Sequence, residues 1–112
     1  MKMVTGIIKP HALEAVSNAL HGIGVDGITI TEVRGHGRQR GHTEVFRGSE
    51  YRVDYLPKIR VEVVTTDETA DAVARAIVDT ANSGKIGDGK VWITGVDSII
   101  RVRTGEVDAD AL

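Results

Sequence analysis

The chain has 112 residues, 41% of them apolar, enough for one modest core and a single domain, 1–112. Its 14 Lys and Arg against 16 Asp and Glu give a formal net charge of -2, the wrong sign for a generic nucleic-acid binder, and the lack of cysteine excludes disulfides, thiolate nucleophiles and cysteine-metal sites. His11, His21, His36 and His42 have no tight metal-ligand spacing, the first apolar run is too short for a signal peptide, and no stretch approaches a membrane span, so a cytoplasmic soluble domain is expected.

MKMVTGIIK alternates loosely, is rich in β-formers and predicts a first strand, with Pro10 at the first helical position after it. In HALEAVSNALHGIG, Leu13, Val16, Leu20 and Ile23 fall at helical spacing, and Gly22 or Gly24 supplies the left-handed stop. VDGITITEV predicts a second strand with one buried side, Ile28 and Ile30 on one face and Thr29 and Thr31 on the other.

The next stretch, GHGRQRGHTEVFRGSEYRVDYLP at residues 35–57, is polar, arginine-rich and punctuated by glycine. Loops longer than about 12–15 residues are uncommon in compact domains and are usually functional or disordered. KIRVEVVT then gives the cleanest strand, with Ile59, Val61 and Val63 on one face and Lys58, Arg60 and Glu62 on the other. TTDETADAVARAIVDTANSG predicts a second helix, opened by a capping box of Thr65 and Glu68 and striped by Ala70, Val73, Ile77 and Ala81. KVWITGVDSIIRVRT returns as a fourth strand with a bulge or bend at Gly95.

This order, βαβ then βαβ, is that of a ferredoxin-like α+β sandwich: a four-stranded antiparallel sheet, both helices on one face, and a long loop, about 36–56, between the second and third strands. The uncovered face carries Thr29, Thr31, Arg60, Glu62 and Val64. It is read either as a solvated polar face or as an intersubunit face lining ligand sites.

GKIGDGKV, Gly84 to Val91, has the spacing of a phosphate-binding P-loop but ends in Val91 where the magnesium-holding Ser or Thr should stand. It also runs from helix into strand, the reverse of a P-loop, so that reading is rejected. Gly84, Gly87 and Gly89 still permit backbone N–H groups to converge on an anion, with Lys85 and Lys90 adding charge. Arg101 and Arg103 alternate in IRVRTG, so both project from the same side of the fourth strand and favour a polyphosphate.

These residues carry a resemblance, over essentially the whole length, to P-II nitrogen-regulatory signal-transduction proteins. FRGSEY, Phe46 to Tyr51, resembles that family's modification-site pattern, with Phe46 in place of its first tyrosine, and SGKIGDGKVWI, Ser83 to Ile93, matches its second signature. The resemblance implies a homotrimer with nucleotide sites in the intersubunit clefts, competitive ATP and ADP binding, 2-oxoglutarate joining MgATP, and a large partner-binding loop. It puts Gly87, Asp88, Gly89 and Lys90 of the glycine loop, about 83–90, around the phosphates. Arg101, Val102 and Arg103, at the start of a C-terminal segment 101–112, would join them, as would Gly37 and Arg38 at the loop base. Thr29, Glu62 and Val64 would line the base and ribose side. Gln39 would complete the Mg2+ shell. Lys58 would pair with a 2-oxoglutarate carboxylate while Gln39, Arg40, Gly41 and Gly87 hold the rest. Tyr51 would be the nucleotidylated hydroxyl and Arg47 the loop-tip contact with an ammonium transporter; a nucleotidylyltransferase is the other implied partner, and membrane association would come only through the transporter. His36, where relatives often have Phe or Tyr, reads as a packing substitution, and Arg40 stands where Lys is common.

The resemblance implies a sensor and not an enzyme, with slow ATP hydrolysis at most. Two other classes compete with this reading. An RNA-binding module rests on a faint likeness of RGHTEVF to an aromatic sheet motif, but His42 and Glu44 replace the needed aromatic or small residues and aromatics are only 4% of the chain. A small phosphohydrolase would use the arginine-rich anion site, without an obvious paired carboxylate or histidine base beside the loop.

Overall fold

The computed structural model describes residues 1–36 and 55–112, and within the excursion the backbone of 43–46 and 49–52. Strand β1 (Lys2–Ile8) leads through a single 3-10 turn at Pro10–Ala12 into α1 (Leu13–Gly22). Proline's fixed φ and missing N–H suit that first turn. The helix ends on Gly24, whose φ is +90, with the N–H of Val25 donating to Leu20 O at 3.0 Å.

Next come β2 (Thr29–Gly35), β3 (Thr43–Phe46), β4 (Ser49–Arg52), β5 (Leu56–Thr65), α2 (Ala70–Ala81) and β6 (Gly89–Gly95). The main sheet has the order β2-β5-β1-β6 with every pair antiparallel, which is the ferredoxin-like arrangement expected. β3 and β4 form a separate antiparallel pair, so the excursion taken from sequence as a loop holds a short hairpin.

Alternation decides which side of each strand is buried. Val4 and Ile8 of β1 and Ile59, Val61 and Val63 of β5 face the helices and pack against Val16 and Leu20 of α1 and Ala70, Val73 and Ile77 of α2. Each fully buried branched side chain contributes about 1.5–3 kcal/mol of transfer free energy. Gly6 lets α2 come close, since a Cβ there would stand 3.2 Å from Ile77 Cγ2.

Four expectations are corrected. β2 begins at Thr29 instead of Val25 and has no fully buried side: Ile30 on the helix-side face is 47% exposed, because β2 is the sheet edge. There is no Thr65–Glu68 capping box; Thr65 ends β5, α2 starts at Ala70, and the hydroxyls of Thr65 and Thr66 instead meet that of Thr69. The 36–56 stretch is not wholly loop, as above. The fourth strand stops at Gly95, so Arg101 and Arg103 do not share a strand face. They lie in a turn closed by the Ile100–Val107 bridge, with Arg101 N–H donating to Glu106 O and Gly105 N–H to Arg101 O, both at 2.8 Å.

Candidate functional site

The glycine loop between α2 and β6 is shaped by one carboxylate. Asp88 accepts from the N–H of Ser83 at 2.7 Å, the N–H of Gly84 at 3.0 Å and the Ser83 hydroxyl, and it pairs with Lys9 Nζ at 3.3 Å. The hydroxyl and amide of Ser83 hold the Asp88 carboxyl far below the usual carboxylate range, with Lys9 adding to the effect. Gly84, Gly87 and Gly89 all have positive φ, and at Gly89 the requirement is absolute: a Cβ would lie 1.6 Å from Ile7 O.

Lys58 completes the loop's support. Its Nζ, on a side chain only 8% exposed, donates to Gly87 O at 2.8 Å, and its stem passes Gly35, where a Cβ would be 3.5 Å from Lys58 Cγ. Burial, then the nearby Lys9 charge, pushes the Lys58 ammonium below its ordinary range, partly offset by Asp88.

Around this core lies a cavity of about 530 Å³ lined by Lys58, Lys85, Gly87, Gly89 and Lys90. Its far wall is Gly35, His36 and Leu56, the two ends of the excursion, and Trp92 and Ile7 supply apolar surface. The rings of His36 and Tyr55 meet across that root at 5.7 Å between centroids. Three lysines against the engaged Asp88 make the cavity electropositive, suited to a small anion.

Thr29, Glu62 and Val64 come together elsewhere. Thr29 and Glu62 are cross-strand partners, Val64 follows on the same face, and all three line a second cavity of about 780 Å³ with Ile99, Ala111 and Leu112. Lys58 and Val64 are separated along β5 by about 20 Å at 3.3 Å per residue. One chain therefore presents the two groups of expected residues as two cavities. Arg101 is engaged by its own segment, donating to Glu106 Oε1 at 3.1 Å and to Leu112 O at 2.8 Å, whereas Val102 is fully exposed. Gly37, Arg38, Gln39, Arg40, Gly41 and Arg47 lie outside the described residues, and for Tyr51 only its backbone place in β4 is described.

Sequence reading missed Lys9, which pairs with Asp88, and Trp92, which lines the lysine cavity. The signal for Trp92 was available in KVWITG, where alternation with the core-facing Val91 puts Trp92 on the open face, opposite Thr5. Lys9 gave none, since its distance from Asp88 in sequence hides the contact.

Fold and site together define a ferredoxin-like domain with an electropositive cavity at the root of a long inter-strand excursion. A family model described as nitrogen regulatory protein P-II matches residues 1–106. The chain belongs to this P-II family. It is 53% identical to a nitrogen regulatory protein P-II of Pasteurella multocida, 54% to one of Rhizobium meliloti and 50% to nitrogen regulatory protein P-II 1 of Escherichia coli, in each case over all 112 residues and the whole of both chains.

Proposed function

We propose that the chain is a non-enzymatic nitrogen-status sensor that binds ATP or ADP, and 2-oxoglutarate together with MgATP, and signals through the 36–56 excursion. The observation that carries this is the joining of Lys58, Gly87 and Gly35 around one cavity. A carboxylate ligand that recruits Lys58 competes with the Gly87 bond at the place where the excursion leaves the sheet. Occupancy can then shift the excursion between states, by as much as the ligand's affinity differs between them.

Two residue groups that one chain keeps in separate cavities favour assembly, because a nucleotide pocket using both needs a second copy. A closed homotrimer through the open sheet faces supplies it. On that face Thr5 is fully buried, and its hydroxyl has no hydrogen-bond partner among the described residues. The phosphates would take Gly87 to Lys90 with Arg38, Arg101 and Arg103, and the base and ribose would take Thr29, Glu62 and Val64. Among the described residues no cluster of His, Cys, Asp or Glu could hold a metal ion. Magnesium would be carried by phosphate oxygens with Gln39 and water, the mode this ion favours.

The commitment of Asp88 to Ser83, Gly84 and Lys9 removes a carboxylate that lines the cavity from general-base work, which favours sensing over turnover. Tyr51 is the proposed nucleotidylation site and Arg47 the contact for an ammonium transporter; a nucleotidylyltransferase is the second partner. Among the described residues no helix is long and apolar enough to cross a membrane; a cytoplasmic location, with membranes met only through a partner, is part of the proposal. Calorimetry tests the reading: ATP should bind alone and 2-oxoglutarate only with MgATP present. No 2-oxoglutarate heat under that condition would overturn it, and light scattering would check the trimer.

A further inference from the structure

The Arg101 guanidinium is occupied. Its Nη1 donates to Glu106 Oε1 at 3.1 Å and its Nη2 to the main-chain oxygen of Leu112 at 2.8 Å, so one edge of the planar fork already holds two acceptors. The same contacts pin the last turn, Asp108–Ala111, and Ala111 and Leu112 line the cavity that holds Thr29, Glu62 and Val64. Asp108 reinforces the fold-back, its N–H donating to Ile99 O at 2.8 Å and its carboxylate accepting from Ile99 N–H at 3.3 Å.

We propose that Glu106 and the Leu112 oxygen form an internal counter-ligand that holds Arg101 away from polyphosphate and keeps residues 108–112 against the base-side cavity. This rests on the nucleotide reading above and adds to it a residue that sets affinity. A phosphate that takes this edge of Arg101 must displace both acceptors, which unpins the 108–112 turn. By linkage, whatever holds the turn down weakens nucleotide binding by the same factor. Among the described residues the Glu106 carboxylate pairs with Arg101, and Glu106 is not itself assigned to the nucleotide or the metal, so its removal acts through Arg101.

Calorimetric titration of the full chain with ATP tests this in wild type, Glu106→Ala and Glu106→Asp. The bridge is exposed on both sides, so Glu106→Ala should bind ATP about two- to fivefold more tightly than wild type. Glu106→Asp should fall closer to wild type. Amide hydrogen exchange supplies a second readout: ATP should speed exchange at 108–112 in wild type. If wild type binds ATP but Glu106→Ala binds no more tightly, or if exchange at 108–112 is unchanged or slowed, the counter-ligand is overturned while the nucleotide reading stands. If wild type does not bind ATP, the nucleotide reading falls and the counter-ligand with it.

Discussion

The ammonium of Lys58 donates a 2.8 Å hydrogen bond to the main-chain oxygen of Gly87, tying β5 to the glycine loop beside the root of the excursion. Lys58→Met should keep the fold but weaken 2-oxoglutarate binding at least about tenfold, the loss of one charge-assisted bond. Burial and Lys9 lower the Lys58 pKa below 10.5, so the folded state holds fewer protons than the unfolded one between the folded value and 10.5. Wild-type stability should therefore rise with pH through that window relative to Lys58→Met, while 2-oxoglutarate affinity falls. Urea titrations and calorimetry at matched pH values check both.

Asp88 gives the opposite acid-side behaviour. Its folded pKa lies far below 3.8, so its stabilisation is complete above 3.8 and is lost as pH falls below that value toward the folded pKa. Asp88→Asn should flatten the acid limb of the stability profile. Amides of Ser83 and Gly84 should exchange faster in the variant at neutral pH, which hydrogen exchange with mass spectrometry would show.

Two glycines with positive φ should respond differently to alanine. Gly24→Ala meets nothing within 4 Å and should cost about 1–2 kcal/mol for the left-handed backbone alone. Gly89→Ala adds a clash with the Ile7 backbone and should cost about 3 kcal/mol or more. Denaturant midpoints measured side by side would separate them.

The Gly6–Ile77 contact predicts coupling. Gly6→Ala crowds Ile77 Cγ2 at 3.2 Å and should destabilise by about 1–3 kcal/mol. Ile77→Ala, which removes Cγ2, should alone cost about 2–5 kcal/mol, and the double variant should lose less than the sum of the two. A double-mutant cycle in urea measures the difference.

How legible the protein is in its sequence depends on whether a signal is local. β5 was plain because Ile59, Val61 and Val63 alternate without a break, and burial follows them. α2 showed its stripe for the same reason, though its start was misplaced: the Thr65–Glu68 pattern imitates a cap, whereas Thr65 is still paired with Lys2 in the sheet. IRVRT looked like more strand because β-branched residues alternate with arginines. The β1 register runs out at Lys2 opposite Gly95, so nothing is left for Arg101 to pair with there. The glycine loop could be read as an anion site from its composition, but the bracing of that loop by Lys9 and Lys58 is tertiary. β2 was read as half buried because Ile28 and Ile30 alternate with threonine, yet an edge strand in one chain has nothing to cover Ile30.

The β2–β5 ladder runs unbroken to the pair Gly35–Leu56, with His36 against Tyr55 just beyond. The ends of the excursion are thus brought together by the sandwich itself, and doubling the length between them should add only about 0.6 kcal/mol of closure entropy. In evolutionary terms the segment proposed to address partners can lengthen, shorten or change its sequence with little effect on folding. A variant in which Asn-Gly joins Gly35 to Leu56 should fold with near-native stability. Partner choice and domain stability would then diverge under separate selection, with the Lys58–Gly87 bond as the proposed link between any new excursion and ligand occupancy.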